Sequence, residues 1–240
     1  MVLTSSDAVA SSMARRVALT PVSGSVAVEL SHGTYPTAGR QRPYRLLLAR
    51  VSDLAAVEPA LVRSLVKAHT PRYMVVLDSG LPVGDKLSLG DLAVARLVWD
   101  FRKLPDRLEP IYSRQFRADG ALLNAALLLG DGWRPPVAAA KTEFGAIAAG
   151  PWQPEYDRRD LTDLLAGNAR TIALLPDAAR IAAAVEALNA EGLNVGLIMM
   201  AAIPGAAMTD SDPGRDAASA ENGVAFLLSL IAERWPVRPR

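Results

Sequence analysis

The chain contains no cysteine in its 240 residues. Disulfides, thiolate nucleophiles, iron–sulfur clusters and thiolate zinc sites are excluded with it. Histidine is nearly as scarce. With only two, a three-histidine metal site is impossible, and a Ser-His-Asp triad would have to use His32 or His69. Neither sign of charge is in excess, with 26 Lys plus Arg against 25 Asp plus Glu. A nucleic-acid binder needs surplus cations to displace phosphate counterions. No nucleic-acid partner is therefore expected, and the basic patch of Arg102, Lys103, Arg107, Arg114 and Arg117 reads as a solvated face. Aromatic residues, at 5%, are not interleaved with basic ones as a single-strand-binding surface requires. Long apolar runs are missing too: residues 121–129 and 195–202 are too short to span a bilayer. Residues 1–16 carry Ser5, Ser6, Ser11 and Ser12, but no apolar run of signal-peptide length, and their arginines follow the mildly apolar stretch. The expectation is a soluble cytoplasmic protein with no membrane partner. A composition rich in Ala, Arg, Leu and Pro points to a GC-rich bacterial genome.

What is present is enough to fold. Half the residues are apolar and 21% are charged, which builds a sizeable core and is too little charge for a disordered chain. The first forty residues show little helical periodicity. Val26-Ala-Val-Glu-Leu30 has strand character, so residues 1–43 are expected to form an N-terminal β element packed on a main domain of residues 44–240.

From Tyr44 the pattern sharpens. Arg45-Leu-Leu-Leu-Ala-Arg-Val51 has the length of a buried strand. Ser52 and Asp53 offer a helix cap, and Leu54, Val57, Leu61, Leu65 and Ala68 share one helical face that must end before Pro71. Tyr73-Met-Val-Val-Leu77 follows as a second strand, ending in Asp78-Ser-Gly80, to complete a βαβ unit. Ser88 with Asp91 approximates a capping box, and Leu92, Ala95, Val98 and Phe101 then continue a predicted helix face. Thr171-Ile-Ala-Leu-Leu175, Asp177 as N-cap, the face Ile181, Val185 and Leu188, the stop at Gly192 and the strand Asn194–Met200 form the clearest βαβ unit. Val224, Leu227, Leu228, Ile231 and Trp235 mark a terminal helix. Residues 109–150 read either as further βα alternation or as an antiparallel meander through two Asp-Gly turns. The fold class expected is α/β, a mostly parallel sheet with helices on its faces, the alternative being α+β with an antiparallel middle.

Several familiar motifs fail. Gly80-Leu-Pro-Val-Gly84-Asp85-Lys86-Leu87-Ser88 resembles a phosphate loop, but the glycine interval is one residue short and Asp85 puts negative charge where phosphate would lie. An anion at the N-terminus of the next helix is the remaining form of that idea. Asp210, Asp212, Asp216 and Glu221 fall in calcium-loop register, but Arg215 replaces the required glycine and Pro213 stiffens the loop. No Gly-x-Ser-x-Gly and no Gly-x-Gly-x-x-Gly is present.

In open α/β sheets ligands collect at the carboxyl ends of the strands. That rule selects Asp78, Lys141, Glu143 and the loop histidine His32 as candidate catalytic residues. Asp78 or Glu143 would act as base, and Lys86 or Lys141 would hold an anion. Ser79, Lys86, Ser88 and Trp152 are the candidate ligand-binding residues, with Trp133 and Trp152 as loop aromatics suited to covering a ligand or a partner. No metal is expected, and no cofactor is indicated. The function expected is binding of a small polar or anionic metabolite, with or without catalysis. The alternative is a non-catalytic subunit of a larger assembly, which a mean hydropathy of +0.17 also suits. The partner is then a small molecule or another protein, and a homo-oligomer is compatible with both readings.

Overall fold

The computed structural model describes the whole chain except residues 26, 39–42, 85, 104–107, 138–139, 152–169, 205–212 and 236–240. In chain order the elements are β1 (Val2–Thr4), α1 (Asp7–Arg16), β2 (Thr20–Ser25), β3 (Val28–Tyr35), β4 (Tyr44–Val51), a 3-10 turn (Leu54–Ala56), α2 (Pro59–His69), β5 (Tyr73–Ser79) and β6 (Leu81–Pro82). There follow β7 (Leu92–Lys103), β8 (Leu108–Arg117), α3 (Gly120–Gly130), β9 (Thr142–Ala148), β10 (Thr171–Leu174), α4 (Ala179–Ala190), β11 (Gly196–Ala202) and α5 (Pro213–Ser229), which runs into a wide turn at Leu230–Arg234.

The described strands form one sheet in the order β2-β3-β4-β1-β5-β11-β7-β9-β10-β6, with β8 paired to β7. Its heart, β4-β1-β5-β11, is parallel. β7 runs antiparallel to β11, and β9 and β10 follow β7 in direction. Strands of such a heart are covered on both faces and carry apolar residues at every position. β5 shows it: Tyr73, Val75 and Leu77 enter one core, and Met74 and Val76 the other. α2 and α4 cover one face through Val62, Leu65, Val66, Ile181, Val185 and Leu188. α1, α3 and α5 cover the other through Val9, Met13, Leu122, Ala126, Val224, Phe226 and Leu227.

Several local expectations are corrected. Residues 7–16 form a helix, capped where the Ser6 hydroxyl accepts the Val9 N–H at 3.3 Å. Its apolar face is only Val9 and Met13 among serines and alanines, too sparse to show as a period. Residues 92–103 are a strand. Ala95 and Val98, three apart, reach one core because a β-bulge between Ala95 and Leu97 shifts the alternation by one residue. That interval copies helical spacing. The Ser88–Asp91 pair is a genuine local bond, with the Ser88 N–H donating to Asp91 at 2.8 Å, but it shapes a turn into that strand. No helix follows the Gly80–Ser88 loop, so the helix N-terminus proposed there for an anion does not exist. In the middle segment Asp119 caps α3, accepting from the Ala121 and Leu122 N–H groups at 3.0 Å, so residues 121–129 are helical. Asp177 is not the cap of α4, which starts behind Ala178 without a side-chain cap, and it adopts a positive φ of 59° instead.

Gly80, directly after β5, has a packing reason. A Cβ there would lie 2.6 Å from the Ala201 Cβ and 2.8 Å from the Leu174 carbonyl oxygen. Gly80→Ala is expected to cost about 1–3 kcal/mol through overpacking against backbone, seen as a lower denaturation midpoint at unchanged m-value.

Candidate functional site

The parallel heart of the sheet brings the carboxyl ends of β1, β4 and β5 to one edge. Beyond that edge lies an open cleft of about 730 Å³, with a described lining of Ser5, Ser6, Asp7, Ala8, Ser11 and Arg15, then Asp53 and Leu54, Asp78 and Ser79, Pro176, Asp216 and Ala217. The ends of three strands, the N-terminal turns of α1 and α5 and the segment after β10 all meet there.

Asp78 forms its floor. It is 4% exposed. Its Oδ2 accepts the Ser5 N–H at 2.5 Å and the Ser5 hydroxyl at 2.8 Å, and its Oδ1 accepts the Ser79 N–H at 2.8 Å. Burial raises its pKa above the ordinary carboxylate value, the hydrogen bonds from Ser5 and Ser79 oppose that rise, and the nearby charge of Asp53 adds to it. Asp53, at the end of β4, is exposed and accepts the Ala55 N–H at 2.9 Å. Two aspartates at the ends of β4 and β5, the strands on either side of β1, therefore sit in unlike settings, one dry and one wet.

The two helical walls are clamped through Glu221 of α5. It accepts the Ser12 hydroxyl at 2.6 Å, Arg15 at 3.2 Å and Arg16 Nε at 2.8 Å. Partial burial would raise the Glu221 pKa, but the donors Ser12, Arg16 and Arg15 outweigh it and hold the carboxyl below its ordinary value. A depressed carboxylate stabilises above its unfolded pKa and loses that contribution as pH falls through the folded one. Glu221→Gln is expected to cost about 1–3 kcal/mol at neutral pH. Melting curves of the variant and the parent should converge toward acid.

Of the residues selected from the sequence as catalytic or ligand-binding, Asp78 and Ser79 line this cleft together. The others stand apart from its described lining. Lys141 and Glu143 pair with each other at 3.3 Å, both partly in solvent. They flank the start of β9, not its carboxyl end, because that strand begins at Thr142. His32 is exposed within β3, opposite Thr20 and Leu47. Lys86 and Ser88 are exposed in the loop before β7. Trp133 turns inward, edge-on to Phe226 at 5.1 Å, and does not stand free to cover a ligand. Trp152, Asp210, Asp212 and Arg107 lie outside the described residues. Arg102 and Arg114 of the basic patch are paired with Glu109 and Asp100. Among the described residues no group of three His, Asp or Glu side chains could hold a metal ion, and no helix is long and apolar enough to cross a membrane.

The sequence did not single out Ser5, Asp7 or Arg15 for the site, and it offered Asp53 only as a helix cap and Asp216 only in a calcium register that fails. One signal was available: Val-Leu-Thr followed by Ser-Ser-Asp is a short strand running into a capped helix, the arrangement whose strand end the same rule selects.

This architecture, a mixed sheet with a parallel heart, helices on both faces and a cleft at the strand ends, is the α/β fold of the nucleosidases. The chain superposes on the 5′-methylthioadenosine/S-adenosylhomocysteine nucleosidase of Neisseria meningitidis, solved with methylthio-immucillin-A, with a TM-score of 0.71 at 15% identity over 96% of each chain. S-adenosylhomocysteine nucleosidase of Streptococcus pyogenes, in complex with 5-methylthiotubericidin, gives 0.71 at 14% identity over 98% of this chain and 96% of its own. Futalosine hydrolase of Helicobacter pylori strain 26695, as a mutant, gives 0.68 at 14% over 96% of each. At these identities the likeness is one of fold. No family model matches the chain, and no curated protein does.

Proposed function

We propose that the chain binds a nucleoside-class metabolite in the Asp78 cleft and hydrolyses its N-glycosidic bond. The observation that carries this reading is the pair of unlike carboxylates, dry Asp78 and wet Asp53, on one cleft at the strand ends. Hydrolysis of a glycosidic bond needs a proton for the leaving group and a base for water, and two carboxyl groups held in different environments divide those tasks. Asp53, open to solvent, takes the proton of the attacking water, and the Asp78 side supplies the proton to the leaving base. The shared fold with nucleosidases supports the substrate class. The charge of the cleft supports it as well. Its described lining holds Asp7, Asp53, Asp78 and Asp216 against Arg15, and Arg15 is engaged with Glu221. Carboxylates in such a lining suit the hydroxyl donors of a sugar. Leu54, Pro176 and Ala217 offer the apolar contact that a heterocyclic base requires.

The test is to incubate the protein with 5′-methylthioadenosine, S-adenosylhomocysteine and futalosine in turn, and to follow release of the free base by chromatography. Release from one of them, lost in Asp53→Asn, supports the reading. No release, together with no heat of binding for all three by titration calorimetry, overturns it. The reading carries with it a cytoplasmic enzyme whose partner is a small molecule. Sedimentation velocity of the purified chain decides whether it works as a homo-oligomer.

A further inference from the structure

We propose that Ser5 is the residue that hands the proton to the leaving base, with Asp78 behind it as the proton source, so that the two act as a relay; this rests on the hydrolase reading above. Asp78 is almost wholly buried, and the half-buried Ser5 stands on the cleft wall with its hydroxyl 2.8 Å from Asp78 Oδ2. That distance is within the reach of direct proton transfer. With Asp78 ionised, the single hydroxyl proton of Ser5 is committed to the carboxylate, and Ser5 offers the cleft only lone pairs. With Asp78 protonated the bond reverses. The carboxyl O–H donates to Ser5 Oγ, and the Ser5 proton is free to point into the cleft. The backbone bonds from Ser5 and Ser79 survive in both states, because each carboxyl oxygen keeps a lone pair for them. Ser5 is thus an acceptor in one state and a donor in the other, with no movement of heavy atoms.

The step balances. The C1′–N bond breaks with its electron pair going to the base nitrogen, which takes the Ser5 proton. Ser5 Oγ takes the proton of Asp78, leaving the carboxylate. A water oxygen bonds to C1′ and gives its proton to Asp53. Solvent in the open cleft accepts the proton from Asp53 and returns one to Asp78 through Ser5. The sum is nucleoside plus water giving free base and sugar. The groups around Asp78 are compatible with a proton held there. Asp53 faces it from the end of β4, Asp7 from α1 is paired with Arg50, and Asp216 stands on the α5 wall. Arg15, the cation of the described lining, is paired with Glu221.

The test measures kcat and KM across pH, for whichever of the three nucleosides is hydrolysed, in the parent and in Ser5→Ala, Ser5→Thr and Asp78→Asn. Ser5→Ala is expected to lower kcat by about 100-fold or more with KM little changed, and Ser5→Thr, which keeps a hydroxyl, to recover most of it. Asp78→Asn is expected to lower kcat and to remove the alkaline fall of activity that marks loss of the acid. A parent that hydrolyses the nucleoside while Ser5→Ala keeps its kcat overturns the relay alone, as does an Asp78→Asn profile with the alkaline limb intact. A parent that neither binds nor hydrolyses a nucleoside overturns the hydrolase reading and the relay with it.

Discussion

Asp78→Ala is expected to cost about 2–4 kcal/mol of stability and to leave the cleft unable to retain a nucleoside. Alanine removes the acceptor for the Ser5 N–H, the Ser5 hydroxyl and the Ser79 N–H at once, and a buried donor left without a partner costs about 1–3 kcal/mol. The hydroxyl finds water in the cleft, so the two backbone groups set the figure. The Ser5 bond also fixes the path of the chain from β1 into α1, which is why ligand binding is expected to fail together with stability. Asp78→Asn separates the two effects. A carboxyl whose folded pKa is raised binds its proton more tightly folded than unfolded. Its ionisation therefore lowers stability as pH climbs from the ordinary carboxylate range through the raised value. The asparagine variant lacks that term. Against the parent its relative stability should rise across that window, measured as Tm against pH, whereas Asp78→Ala should stay less stable throughout.

The second large effect lies away from the cleft. Trp99 is 1% exposed, stands edge-on to Phe101 with ring centroids 6.1 Å apart, and donates its indole N–H to the Thr171 hydroxyl at 3.0 Å. It ties β7 to β10 and fills the small core with Leu81, Ala146, Ala148 and Leu174. Trp99→Ala is expected to cost about 3–5 kcal/mol, and Trp99→Phe about 1–3 kcal/mol, through an indole partner left unsatisfied. Urea denaturation followed by circular dichroism reads both. Leu81 and Leu174 in that core connect it to the loop after β5, so a softened core should also loosen Ser79 and raise KM for a nucleoside.

These two residues show what the sequence makes legible. α2 and α4 were readable because each is one clean helical period with its own stop, Pro71 and Gly192, and β4, β5 and β11 because each is a short apolar run of strand length. β7 was not, because its bulge sets Ala95 and Val98 at a helical interval. Trp99 lies in that same stretch, expected as a helix, and is a core residue of a strand instead. Asp78 and Ser79 stood out because they close an obvious strand. Ser5, Asp53 and Asp216 reach the same cleft from segments far apart in the chain, and only the parallel pairing of β4, β1 and β5 brings them together. Nothing local to any of them announces the others. Lys141 and Glu143 illustrate the converse: the rule for strand ends needs the strand's boundary, and here the strand starts where it was expected to finish.

The placement of β1 has a consequence for how the molecule comes to exist. Three residues, Val2 to Thr4, sit between β4 and β5 in parallel register, with Val2 opposite both Leu48 and Val75. They leave the ribosome before both of their neighbours, yet the slot between β4 and β5 is complete only once Val75 has been made, and β5 itself is flanked on its other side only after β11 arrives. Contacts of such long sequence separation are slow to form, and strand edges left open in the meantime invite misassembly. The segment that carries Ser5 is thus expected to dock late, into a slot already built by others. In refolding experiments nucleoside binding should return after the bulk of secondary structure, as a separate and slower phase.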